Sequence, residues 1–230
     1  MKASDISTKS KSSREDRPPG VIESPDPIDR PKERIIAHAD ERFLKEGFAR
    51  ITVDDLMSDL AMSKKTFYKV FRSKEDLVEQ LIMRALGNVS LSLEKVMTSD
   101  ITFPERIREF MSIVPLIARR VDSPMAQDIQ RHLPTVWARV EEFRRGRMTK
   151  YLTRIIEQGK DEGYIRPDVP VRLLVLSVIG AVQSIVRPMV LAEESFSTRE
   201  AVAGIFSLFL RGSLTDSGRN AIDTIMHETH

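Results

Sequence analysis

Between Thr52 and Lys74 the chain reads TVDDLMSDLAMSKKTFYKVFRSK: two short amphipathic helical patterns joined by a three-residue turn, the second rich in lysine and aromatic side chains. Thr52 and Asp55 form a T-x-x-D capping pattern, and Val53, Leu56, Met57 and Leu60 supply the buried face of the helix it opens. Ala61, Met62 and Ser63 make the turn. Ser63 is a suitable cap for a further helix from Lys64 to about Phe71, in which Phe67, Val70 and Phe71 face inward. Ser73 repeats the device as S-x-x-D with Asp76, ahead of Leu77, Leu81 and Ile82. Two capped helices on so short a turn give the layout of a helix-turn-helix, whose second helix enters the DNA major groove.

Upstream, Ile35, Ile36, Ala39, Phe43 and Leu44 recur at helical spacings from Pro31, a residue acceptable in a first turn. Gly47 ends that helix by taking a left-handed conformation, with Phe48 folding back onto the last turn. Residues 31–84 are therefore expected to form one helical head. Residues 1–30 carry six basic and six acidic side chains and almost no large apolar ones, so they cannot offset the entropy of ordering and are expected to be a disordered tail.

Beyond Leu86 every strong signal remains helical, and no run alternates with period two. Residues 85–214 are expected to form a larger helical domain, with helices near 104–121, 124–132, 135–162, 169–193 and 198–213. Pro115 is expected to kink the first, Gly163 and Pro167 to stop the long one, and Ser197 to cap the last. Residues 215–230 are read as a polar carboxy-terminal tail, either a loose extra helix or a frayed end. The fold class is all-α.

Composition narrows function mainly by exclusion. With 36 basic and 34 acidic residues in 230, the net charge of +2 does not by itself call for a polyanion, so any such partner must meet a local patch. Cysteine is absent, which removes disulfides, thiolate metal sites and cysteine nucleophiles. No signal peptide and no span of 18 uninterrupted apolar residues is visible, so a soluble, cytoplasmic protein is expected. His38, His132, His227 and His230 are scattered, and no glycine-rich phosphate loop or G-x-S-x-G is present. The paired acids Asp54–Asp55 and Glu141–Glu142 are adjacent along helices and point apart. No enzyme, catalytic residue, metal site or cofactor is expected.

The chemistry concentrates between Met62 and Lys74, where Lys64, Lys65, Lys69, Arg72 and Lys74 occur without an acid. Lys64, Lys65, Thr66 and Lys69 occupy the outward positions from which base edges or phosphates are within reach, and the helix dipole adds to their attraction for anions. Tyr68 has a ring to pack and a hydroxyl that can donate to a phosphate oxygen. A basic face that is merely solvated, or a helical protein-interaction or non-specific nucleic-acid-binding module, is the competing reading.

The segment from about Pro31 to Arg84 resembles the amino-terminal domain of the TetR family of bacterial transcriptional regulators. The resemblance rests on Thr52-Val53, then Ala61-Met62-Ser63, then Thr66-Phe67-Tyr68 with Phe71, then Ser73-Lys74-Glu75-Asp76-Leu77. It implies DNA contacts, mostly to the backbone, from Thr52, Ser63, Lys65, Thr66, Tyr68 and Lys74. Ala61 stands where the family usually has glycine; a left-handed alanine there costs about 1–2 kcal/mol. Lys65 replaces a commonly small residue and adds charge.

The stretch VRLLVLSVIGAVQSIV, residues 171–186, is apolar nearly all round and must be covered on two sides. One cover is the chain's own core; the other is expected to be a second copy, with Gly180, Ala181 and Ser184 allowing close approach and Leu176, Ile179, Gln183, Ile205, Phe206 and Phe209 completing a homodimer interface. The resemblance implies a four-helix interface from the last two long helices, and a small-molecule effector in the carboxy-terminal helices. Met111, Val114, Trp137, Phe143, Met148 and Tyr151 are the candidate pocket residues. A two-fold dimer would hold its reading helices about 34–36 Å apart, matching a palindromic operator. The expected function is that of a repressor released from double-stranded DNA by its effector.

Overall fold

Capping explains several of the helix starts in the computed structural model, which describes residues 29–227. Helix α1 (Asp29–Glu46) starts two residues ahead of the expected point, so Asp29 and Arg30 belong to it; the rest of the expected tail lies outside the described residues. Gly47 ends α1 at φ +81°, its N–H donating to Phe43 O at 2.9 Å. Phe48 folds back as expected, its ring edge-on to Phe43 with centroids 6.3 Å apart.

Helix α2 (Val53–Asp59) carries the full capping box of Thr52 and Asp55. Helix α3 (Lys64–Val70) is capped by Ser63, whose hydroxyl accepts from Thr66 N. In the turn between them Ala61 sits at φ +52°, the left-handed conformation that the missing glycine would have taken without strain. Helix α4 (Lys74–Thr98) opens on Ser73 and runs for 25 residues, about 37 Å at 1.5 Å per residue.

That length carries α4 through the expected boundary at residue 84 and into two apolar cores. The first is built on Ile35, Phe43, Leu56, Phe67, Phe71, Leu77 and Leu81. The second gathers Leu93, Phe103, Phe110, Tyr151, Ile155, Val178 and Phe206. Arg106, itself buried, ties the end of α4 to the second core by donating to Val96 O, to Ser99 O at 2.8 Å and to the Gln158 side chain.

Three of the long helices expected after residue 100 are interrupted. Pro115 breaks the first rather than kinking it, leaving α5 (Phe103–Ser112) and α6 (Val114–Val121) on either side of Ile113, because proline has no N–H to continue the ladder. Helix α7 (Pro124–His132) follows as expected. The stretch expected as one helix over 135–162 is α8 (Pro134–Phe143), a π-helical turn (Arg144–Met148), and α9 (Thr149–Asp161). Gly159 of α9 lets α5 approach closely: a Cβ there would lie 2.7 Å from the Phe103 ring.

Helix α10 (Val171–Ile185) stops before Pro188, which begins the single turn α11 (Pro188–Leu191). Helix α12 (Thr198–Ser213) has the Ser197–Glu200 capping box. The expected tail contains α13 (Asp216–His227), with Ile222 packed on the second core. Among the described residues the only bridge of β type is an isolated pair, Ile165 with Leu214, so the fold is all-α. No described helix is long and apolar enough to cross a membrane.

Replacing Ala61 with glycine should remove the left-handed strain at the cost of a more flexible unfolded chain, for a net gain of about 0.5–1 kcal/mol. Urea unfolding should show the midpoint rise with an unchanged slope.

Candidate nucleic-acid interface and interior cavity

Helix α3 is held from behind by its aromatics. Phe67 is fully buried and stacks obliquely on Phe71 at 5.3 Å, leaving Lys64, Lys65 and Lys69 exposed. Tyr68 is 57% exposed, its ring edge-on to Phe67 at 5.2 Å and its body thereby oriented. Ser63 and Thr66 share a hydroxyl pair at 3.0 Å. Lys64 Nζ lies 2.7 Å from Asp54 Oδ2, with both side chains more than half exposed; such a pair is weak and exchangeable for a phosphate.

Thr52 is exposed, and its hydroxyl donates to Asp55 Oδ2 at 2.7 Å while accepting from Asp55 N at 3.1 Å. That hydroxyl and the Thr52 N–H hold the Asp55 carboxyl below the usual range. Lys74 differs from expectation. It is half-buried, and its ammonium donates to Phe48 O and Ile51 O, each at 2.9 Å, with Nζ 5.6 Å from the Phe48 ring centroid. Lys74 therefore staples the start of α4 to the segment between α1 and α2, and is withdrawn from the expected DNA face because its hydrogen-bonding capacity is already used. His38 pairs through Nε2 with Asp59 Oδ2 at 2.9 Å.

Three polar contacts join the reading head to the helices after α5. The Arg120 guanidinium grips Asp40 of α1 through two bonds of 2.9 and 2.8 Å. Asp128 of α7 accepts from Ala49 N at 2.8 Å. Arg139 of α8 pairs with Glu79 of α4. Met125, Ile129 and Val136 from α7 and α8 complete the apolar core of the head.

Between the two cores lies a cavity of about 500 Å³, within the range of small-molecule sites. Four of the expected pocket residues, Val114, Trp137, Phe143 and Met148, line it. Two do not. Tyr151 is fully buried in the second core, its hydroxyl donating to Glu94 at 2.8 Å; burial, with Glu94 reinforcing it, pushes its pKa up. Met111 packs against that core and is not among the lining residues. The walls that sequence reasoning missed come from α4, α7 and α10, including Leu86, Val89, Ile129, Val182 and Gln183.

Helix α10 thus has an inner and an outer face. Ile179, Ile205 and Phe206, expected at a dimer interface, are buried in the protomer's own core. Gln183 points part of its side chain inward and lines the cavity; Phe209 is half-buried against the second core. The outward face holds Leu173, Leu176, Gly180 and Ser184, and from α12 Leu208, which is 77% exposed. A Cβ on Gly180 or Gly204 would meet nothing.

Two family profiles match the chain: one described as bacterial regulatory proteins of the tetR family, over residues 35–81, and one described as the C-terminal region of YsiA-like proteins, over residues 130–212. Together they take in more than half of it. The HTH-type transcriptional regulator YvaF of Bacillus subtilis (strain 168) is 22% identical over 191 residues, which span 82% of this chain and 98% of that protein. Among solved structures, the ketosteroid transcriptional regulator KstR2 of Mycobacterium tuberculosis matches with a TM-score of 0.54 at 20% identity, over 81% of this chain and 96% of the other. The fatty acid degradation regulator FadR of Bacillus halodurans matches with a TM-score of 0.57 at 16% identity, over 82% and 97%. These two likenesses bear on the fold.

Exchanging Lys74 for methionine should strip two carbonyls of a charged donor and lower stability by about 1.5–3 kcal/mol. Chemical denaturation followed by circular dichroism should register this as an earlier midpoint.

Proposed function

The chain belongs to the tetR family of bacterial regulatory proteins, and from that premise we propose that it is a cytoplasmic, dimeric repressor that grips a palindromic operator through α3 and releases it when a small molecule fills the interior cavity. The relatives are transcriptional regulators with a DNA-binding helix-turn-helix, not enzymes. The observation that carries the reading is the exposure of Lys64, Lys65, Lys69 and Tyr68 on a helix anchored from behind by Phe67 and Phe71. Ser63 and Thr66 add hydroxyls at its start, and Thr52 adds one at the start of α2. Lys64 reaches a phosphate by giving up Asp54.

Homodimerisation is assigned to the outward stripe of Leu173, Leu176, Gly180, Ser184 and Leu208, with Phe209 at its edge. Apolar side chains on an exposed helical stripe gain by mutual burial, and the glycines allow two backbones to come close. Release follows from the cavity's position. Arg120 stands on its wall and also holds Asp40 of α1, so an occupant that displaces α6 pulls on the reading head. Such an effector must prefer the dimer whose heads are wrongly spaced, and DNA must then weaken effector binding by the same factor.

Selection from random duplexes should enrich an inverted repeat, and a promoter carrying it should be silenced by the chain; enrichment of no motif would sink the proposal. Lys65→Ala and Lys69→Ala should each weaken operator binding and, by removing one contact from each protomer of the dimer, reduce its salt slope by about two, as read by fluorescence anisotropy across a salt series. Leu176→Asp should leave folded monomers in sedimentation velocity under conditions where the parent chain dimerises. A monomeric parent would remove this stripe from the interface.

A further inference from the structure

We propose, building on the reading of the interior cavity as an effector site, that the effector is an apolar monocarboxylate whose carboxylate is received by Arg144 and Gln183 at the α10 end of the cavity. The charges on the cavity wall are one-sided. The lining contains Arg119, Arg120 and Arg144 and no aspartate or glutamate, while the rest is overwhelmingly aliphatic and aromatic. Arg120 is already neutralised by Asp40, and Arg119 is exposed on α6. Arg144 is the inward cation.

Its side chain is only 13% exposed. It donates through Nη1 alone, to Val186 O at 3.0 Å and to Glu141 Oε1 at a long 3.3 Å; Nε and Nη2 have no acceptor among the described residues. Burial lowers the Arg144 pKa, Glu141 opposes that fall, and Arg187 adds to it. The guanidinium is thus buried with one carboxylate, Glu141, paired to it through Nη1, and its Nε and Nη2 groups are left to donate to an arriving anion.

Gln183 supplies the second donor. Its Nε2 is buried and has no hydrogen-bond partner among the described residues. Gln183 lies in the last turn of α10, three residues before Val186, the C-cap whose carbonyl already holds Arg144. A fork of guanidinium N–H groups beside an amide NH2 suits the two oxygens of one carboxylate. The apolar walls then suit the remainder of the molecule. An aliphatic alcohol would satisfy the walls but bring no charge to Arg144, and an ammonium would be repelled. The π-helical turn begins at Arg144, between the lining residues Phe143 and Met148, and such turns recur at functional sites.

The sole tryptophan, Trp137, lines the cavity with its ring 5.8 Å from the Arg144 guanidinium carbon, so it reports on occupancy. The full chain is titrated with octanoate, dodecanoate and hexadecanoate, each beside the alcohol of the same length, by calorimetry and Trp137 fluorescence. The best carboxylate should bind at least about tenfold more tightly than its alcohol, and Arg144→Gln and Gln183→Leu should erase most of that difference while leaving the alcohol's affinity in place. Equal affinity of acid and alcohol for the unaltered chain would overturn the carboxylate assignment and leave the effector cavity standing. Heat and fluorescence unchanged by every member of both series would overturn the assignment and the cavity reading together. The acid–alcohol comparison needs no variant, so a poorly folding Arg144→Gln does not decide the outcome.

Discussion

The head that carries α3 does not close its own core. Its helices bury Phe43, Phe67, Phe71 and Leu77, yet Met125, Ile129 and Val136 from α7 and α8 are needed to fill the space that remains. Apolar packing at interior density is intolerant of gaps, so α7 and α8 cannot move without either dragging the head or opening a void beneath it. The polar ties across the same boundary, Asp40 with Arg120 and Asp128 with Ala49 N–H, make the coupling directional as well as close. Everything proposed about regulation depends on this shared interior.

The cavity gains its meaning from the same arrangement. Its walls draw on α1 and α4 at one end and on α10 and α12 at the other, so a single occupant touches both the head and the helices that present the outward stripe. Coupling energies of about 1–3 kcal/mol are usual for such linkage, comparable to losing or gaining one well-placed charged hydrogen bond. No large rearrangement of the core is needed to reach that size.

Local chemistry made the head legible from sequence. Thr52 with Asp55, Ser63 and Ser73 each cap the helix their spacing announced, Gly47 and Gly163 adopt positive φ where a helix has to stop, and Ala61 does so against its own steric preference. What the sequence left dark was tertiary. Periodicity tells which face of α10 is apolar but not what covers it, and Ile179, Ile205 and Phe206 are covered by the protomer's own core. Lys74 looked like its basic neighbours because nothing local reveals that two carbonyls from the segment after α1 converge on its ammonium. The π-helical turn left only a weak trace, Gly146 amid arginines, and the pairing of Arg144 with the end of α10 spans 42 residues.

The meeting of Gly47 with Asp128 has a practical corollary for anyone who wishes to recombine such regulators. A Cβ on residue 47 would lie 2.5 Å from Asp128 Oδ2, and the same carboxylate satisfies the Ala49 N–H. A chimera that grafts this head onto a foreign body would therefore inherit a bare amide and an unfilled hollow unless α7 and the start of α8 travelled with it. The natural splice point lies after those helices, far beyond the place where the family signature ends.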